Sequence, residues 1–171
     1  TELTNLTITE DGTYTVRVKD EAGNKIDHTF TLDRVNPTIK IDGNIITNGE
    51  TYYYDNNVIV TIEDATSGIN AGATKINNVA SVIGAEGIEV QNGKYVISIE
   101  DNAGNNAEVT VIVDADKPVI ELDDSTTLKD FYGKDVKVKV SDSLSGIKTI
   151  VAAKDGVEIE GFQDDMTNKD D

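Results

Sequence analysis

Apolar side chains recur at every second position through most of the chain. Tyr14, Val16 and Val18 alternate with Thr15, Arg17 and Lys19, and Tyr95, Ile97 and Ile99 repeat the pattern further on. Val58, Val60 and Ile62 form another row, and Val109, Val111 and Val113 a fourth. Val136, Val138 and Val140, with Lys137 and Lys139 between them, form a fifth. A period of two puts alternate side chains on one face of an extended strand, so each row predicts a half-buried β-strand. Gly, Asn and Asp clusters separate the rows at about 8–12 residues, the spacing of short antiparallel strands joined by turns. No segment keeps a 3.6-residue period for three turns, and residues 69–87 carry too little pattern for their strands to be assigned. The fold class this predicts is all-β, an antiparallel sandwich.

The turns reveal a duplication. The 28 residues from Gly12 to Ile39 align without a gap on Gly93 to Ile120. Gly12, Tyr14, Asp20, Ala22, Gly23, Asn24, Asp33 and Pro37 return as Gly93, Tyr95, Asp101, Ala103, Gly104, Asn105, Asp114 and Pro118, always 81 positions later. A second match, at an offset of 78, lays Tyr53 to Ile69 over Phe131 to Ile147, with Asp64, Ser67, Gly68 and Ile69 recurring as Asp142, Ser145, Gly146 and Ile147. A loop shortened between Asp42 and Tyr53 accounts for the change in offset. Together the matches predict one complete unit over 37–117, preceded by the C-terminal portion of another over 1–36. The N-terminal portion of a third covers 118–171. The only two prolines, Pro37 and Pro118, sit at the boundaries, where proline stiffens an extended linker.

These motifs resemble the bacterial immunoglobulin-like repeats of surface proteins and adhesins. The resemblance rests on G-x-Y entering a strand, on D-x-A-G-N at a hairpin, and on a strand ending in Val/Leu-Asp with Pro four residues beyond. It covers the chain once in full and twice in part. It implies tandem immunoglobulin-like sandwiches outside the cell, at its surface or in its wall, acting as stalk, spacer or filament-forming segment and not as an enzyme. Two alternatives share the same residues: an adhesin or glycan-binding module taking a host or cell-wall ligand, and an accessory segment of a large secreted glycosidase.

Composition narrows the picture further. Thirty-two Asp and Glu against 15 Lys and Arg give a net charge of −17. Such a chain repels nucleic acid and anionic membrane surfaces. No apolar run approaches the ~20 residues needed to span a bilayer, so membrane insertion is not expected. With no Cys there is no disulfide framework or thiol chemistry. Neither end reads as a leader or anchor, and the chain is expected to come from something longer. His28 is the only histidine, so a Ser-His-Asp arrangement would have to use it; its inward strand parity predicts a partly buried structural side chain instead.

Candidate chemistry gathers at the unit junctions. Asp33, Asp64, Asp101 and Asn105 fall on a linker, a loop and a hairpin that a sandwich brings to one pole, with the Asp11-Gly12 turn facing the same way. The next junction offers Asp114, Asp116 and Asp142. Ca²⁺ takes six to eight oxygen ligands, and carboxylates on converging loops are its usual source. The competing reading is turn architecture, because Asp and Asn bond nearby backbone and tolerate left-handed conformations. The D-x-D-x-D-G spacing of a dedicated calcium loop is missing, which weighs towards turns. Tyr52 is the weak ligand-binding candidate, being the member of Tyr52-Tyr53-Tyr54 without an aromatic counterpart in the second match. Lys19, Lys137 and Lys139 all have outward parity, which disfavours a Lys–Asn isopeptide bond.

The partial units carry complementary content. Half a sandwich exposes its inner face and leaves edge strands unpaired. Residues 1–36 supply the strands that 118–171 lack, so head-to-tail self-association is expected alongside contacts between neighbouring repeats.

Overall fold

The structure, a computed structural model, describes residues 7–123 and 125–159. Among these residues there is no helix, and the chain divides after Ala115 into two compact units.

The first unit opens with a hairpin of β1 (Gly12–Lys19) and β2 (Lys25–Leu32), paired antiparallel with Val16 opposite His28. Nine short strands follow: β3 (Thr38–Ile41), β4 (Asn44–Ile45), β5 (Thr51–Tyr54), β6 (Val58–Glu63), β7 (Lys75–Ile76), β8 (Val79–Ala80), β9 (Ile88–Val90), β10 (Gly93–Glu100) and β11 (Asn106–Val113). They form two sheets, ordered β4-β3-β6-β9 and β5-β11-β10-β7-β8. Ile39, Ile41, Val58, Val60 and Val90 of the first sheet share one core with Ile97, Ile99, Ala107, Val109, Val111 and Val113 of the second. Val58, Val60, Ile97, Ile99, Val109, Val111 and Val113 are inward members of the alternating rows, and complete burial of a Val or Ile side chain is worth about 1.5–3 kcal/mol over exposure.

One pairing departs from the antiparallel expectation: β5 runs parallel to β11, with Thr51 beside Thr110 and Tyr54 beside Val113. The chain crosses from one sheet to the other between β4 and β5. Gly49 N–H donates to Glu108 O at 2.7 Å, and β5 then covers the edge of β11 that would otherwise stay unpaired. The unpatterned 69–87 stretch contains the β7–β8 hairpin, whose two-residue arms are too short to show a period. Its turn, Asn77-Asn78, has φ of 50° and 62°, the mirror-image geometry that suits hairpins. Asn77 locks it to β10, its N–H donating to Val96 O and its Oδ1 accepting from Val96 N–H. Gly87, at φ +78°, leads into β9 where a Cβ would lie 2.5 Å from Val60 O, so only glycine fits.

The β1–β2 hairpin repeats β10–β11 pair for pair, yet its apolar face is open. Val16 and Val18 are 37% and 54% exposed where their counterparts Ile97 and Ile99 are 0% and 2%. His28 is exposed and stacks on Phe30 at 6.3 Å. This corrects the expectation of a partly buried histidine: parity alone does not bury a side chain when no second sheet covers that face.

The second unit repeats the front of the first. β12 (Val119–Leu122) pairs with β13 (Val138–Ser141) in the register of β3 with β6: Ile120 faces Val140 as Ile39 faces Ile62. Asp123 N–H donates to Lys137 O and Asp123 Oδ1 accepts from Lys137 N–H, as Asp42 does with Ile59. β14 (Ala153–Lys154) and β15 (Val157–Glu158) form a hairpin 78 positions after β7–β8. The closing bond recurs as well, Ile159 N–H to Ala152 O matching Ser81 N–H to Thr74 O. What was expected of 160–171 lies outside the described residues.

Candidate metal centre

Each aspartate at the first junction is oriented by its own turn. Asp101 precedes the β10–β11 turn, where Gly104 at φ +93° lets the chain reverse. Its Oδ1 accepts from Ala103 N–H (2.8 Å) and Asn105 N–H (2.9 Å), and its Oδ2 from Asn105 Nδ2 (2.7 Å). Asp64 starts the loop after β6, and its Oδ1 accepts from the N–H groups of Thr66, Ser67 and Gly68 at 2.7–3.1 Å. Asp33 follows β2 and bridges two elements: Oδ1 accepts from Val35 N–H, and Oδ2 from Ser67 N–H. Asn105 Nδ2 also donates to Asp33 O at 3.2 Å.

These turns bring carboxylate oxygens of Asp33, Asp64 and Asp101 within 4.8 Å of one another. Asp101 is fully buried and Asp33 nearly so. None of the three forms an ion pair among the described residues; Lys40, the lysine of β3, pairs instead with Glu63 at 2.7 Å. Ser67 Oγ is a buried hydroxyl oxygen with no hydrogen-bond partner. It faces the Asp33 carboxylate, whose charge it favours.

The electrostatics follow from these contacts. The Ser67 hydroxyl, with the Val35 and Ser67 N–H groups, holds the Asp33 carboxyl below its ordinary value of 3.8 against the opposing effect of burial. Burial pushes the Asp101 carboxyl up and the Asp33 charge adds to this, but the bonds from Asn105 and Ala103 outweigh both and leave it lowered. These contacts favour the charged forms of Asp33 and Asp101, which lie close to each other and to Asp64. Hydrogen bonds already offset the burial of the Asp33 and Asp101 charges, and the remaining Asp33–Asp101 repulsion is what a divalent cation would relieve. Asp64 also lines an open depression of about 370 Å³ with Val35, Asn36, Thr38 and Glu63. The donor set is all hard oxygen: Asp33, Asp64, Asp101 and Ser67 Oγ could supply four of the six to eight ligands that Ca²⁺ takes.

The other candidate residues are placed differently. Asp11, on the turn facing this pole, pairs with Arg34 at 2.9 Å and does not join the cluster. Asp114 is buried at the end of β11, with its N–H donating to Tyr54 O at 2.8 Å. In the second unit Asp116 and Asp142 line one depression of about 430 Å³, the counterpart of that at Asp64. Asp142 Oδ1 accepts from Leu144 and Gly146 N–H as Asp64 accepts from its own loop. Tyr52 packs against the core, and its hydroxyl accepts from Thr47 N–H at 2.8 Å, a framework role; Tyr53 is the exposed member of the trio. Tyr14 is likewise framework, its hydroxyl donating to Glu10 O at 2.7 Å. Ser67 was not singled out from sequence, although its recurrence as Ser145 was visible. Comparison with protein-family models, curated proteins and solved structures gave no match.

Proposed function

We propose that the chain is a non-catalytic spacer built from tandem immunoglobulin-like sandwiches of a bacterial surface protein, with a Ca²⁺-binding aspartate knot at the junction. The observation that carries this reading is the duplication of backbone geometry. β1–β2 matches β10–β11, β12–β13 matches β3–β6, and β14–β15 matches β7–β8. The turn matches as well: Asp20 accepts from Asn24 N–H and Nδ2 as Asp101 does from Asn105. One module laid down repeatedly in a line gives length, which is what a spacer needs.

The strand arrangement supports a load-bearing role. Tension entering at β3 and leaving at β11 reaches β5 from its N-terminal side and β11 from its C-terminal side. Because the two are parallel, their ladder from Thr51–Thr110 to Tyr54–Val113 is loaded in shear, with its bonds strained together and not one at a time. Glu50 O accepting from Thr110 N–H (3.1 Å) and Tyr54 O from Asp114 N–H (2.8 Å) extend that patch at both ends. The high negative charge favours a soluble, extended array through repulsion between its units.

Single-molecule pulling from the two chain ends tests the proposal. Residues 37–113 should resist and then open in one event, releasing roughly 250 Å of chain at ~3.4 Å per residue. Smooth extension with no force peak would refute a spacer role.

A further inference from the structure

We infer that the connection from the β1–β2 hairpin to the sandwich is a latched joint: the sandwich pole grips Asp33, the next residue grips the hairpin side, and the two hold one orientation without a metal ion. The geometry lies wholly within the first compact unit, and its consequence for an array rests on the tandem-module reading above. Asp33 is buried and held twice. Its carbonyl oxygen accepts from Asn105 Nδ2 at 3.2 Å, on the β10–β11 turn, and its Oδ2 accepts from Ser67 N–H at 3.0 Å, on the loop after β6. One such bond is a swivel. Two of them, from elements of different sheets, fix rotation as well as position. Arg34 works on the other body: its Nε donates to Asp11 Oδ1 at 2.9 Å and its Nη2 to Thr9 O at 2.7 Å, both just before β1. The guanidinium donors form a rigid planar fork, so this tie also has a direction.

The linker itself leaves little freedom for these bonds to overcome. Val35 N–H donates to Asp33 Oδ1 at 3.0 Å and closes an Asx turn, and Pro37 is buried with its φ fixed. Ordering a short segment already restricted in this way costs less entropy than ordering a flexible one. The parts of the joint also recur within the chain. Asp114 follows β11 as Asp33 follows β2. Asp20 and Asn24 repeat the turn bonds of Asp101 and Asn105, and Asp142 with Gly146 repeats the bond of Asp64 with Gly68. The hairpin-side tie recurs in altered form: the counterparts of Arg34 and Asp11 are Ala115 and Asn92, and Ala115 N–H donates to Asn92 Oδ1 at 3.4 Å. The surface around Ser67 and Asn105 is thus a socket, and the partner it fits is an aspartate-bearing linker. A row of such joints holds its direction over several modules, which a row with flexible linkers does not.

Pulsed electron–electron distance measurement tests the joint on the 171-residue chain, which has no cysteine of its own and takes spin labels cleanly at Thr29→Cys on β2 and Lys94→Cys on β10. With EDTA present, the doubly labelled chain should give a single narrow distance. Asp33→Ala removes the carboxylate that Ser67 holds and leaves only the swivel at the carbonyl. Arg34→Ala removes the fork to Thr9 and Asp11. Each should lose the narrow peak to a broad distribution. Neither residue belongs to the sandwich core, so the sandwich stays folded in both, which circular dichroism checks. A broad distribution in the labelled parent overturns the inference, as does a narrow peak that survives either substitution. A peak that is narrow only with Ca²⁺ overturns it too and assigns the orientation to the ion. All three results leave the pulling signature of residues 37–113 untouched, so the joint and the spacer reading fail separately.

Discussion

Replacing Asp101 by Ala removes the centre of the junction, and the repeat provides its own control. In the wild-type chain Asp101 accepts three hydrogen bonds, and the Asn105 amide it positions reaches across to Asp33 O. Hydrogen bonds to a charged acceptor are worth about 1.5–3 kcal/mol each when lost from a buried site. Three of them are not additive here, because Ala103 is exposed and Asn105 only half-buried, so water can reach their freed N–H groups. Loss of the repulsion between Asp101 and Asp33 returns part of the remainder. The net expectation is about 2–3 kcal/mol, which lowers the melting temperature of a domain this size by roughly 8–24 °C. Asp20→Ala removes the matching bonds from the same turn sequence, but its hairpin packs against no second sheet, so the sandwich transition should not move. Near-ultraviolet circular dichroism of the tyrosines, followed through thermal and urea unfolding, reads both. Equal effects of the two substitutions, or no effect of Asp101→Ala, would refute the claim that the turn at Asp101 serves the junction.

Other expectations follow from the same contacts. Gly87→Ala places a methyl group against Val60 O, and should destabilise the sandwich far more than Gly104→Ala, which meets nothing within 4 Å and bears only the strain of positive φ; paired urea midpoints decide this. Ile97→Ala should cost about 2–5 kcal/mol as a fully buried deletion, and Val16→Ala, at its exposed counterpart, should not shift the midpoint. The lowered carboxyls of Asp33 and Asp101 give stability that is present above the unfolded-state pKa and lost as pH falls through their lower folded values. A melting temperature flat from pH 7 to pH 5 and falling below about pH 4 is expected, and a fall beginning near neutrality would contradict it. Extracellular Ca²⁺ modules bind in the 10⁻⁴–10⁻³ M range, so millimolar Ca²⁺ should add about 0.4–1.4 kcal/mol, a rise of about 2–10 °C. EDTA should reverse the rise and Asp64→Asn should abolish it; an unchanged melting temperature removes the ion from the account.

Alternation made the long strands readable because one face of each is buried: the rows at 58–62, 95–99 and 109–113 fall on β6, β10 and β11 with the expected residues inward. The parallel β5–β11 pairing was invisible, since local pattern marks a strand but not the neighbour it joins after crossing between sheets. β7–β8 was invisible for a different reason. Two-residue arms have no period, and the pairs Lys75-Ile76 and Ala153-Lys154 share no side-chain type at matched positions. Only their backbone shows the repeat. At the junction the duplication pointed to Asp33, Asp64, Asp101 and Asn105, because each anchors a turn that recurs. Ser67 escaped because its role depends on turning away from its own loop: Ser145 Oγ stays on Asp142 at 3.3 Å, whereas Ser67 Oγ lies beside Asp33. His28 was misplaced because parity was taken as burial.

The account stands on a module over 37–113 whose core is not shared with the strands beyond it, and native-state hydrogen exchange on the dilute chain measures that directly. Amides of 39–41, 58–62, 97–99 and 107–113 should open together with a single free energy, distinct from that of 119–122 and 138–141. A common opening energy across both sets, persisting through Pro37 and Pro118, would mean one undivided core and would contradict the account.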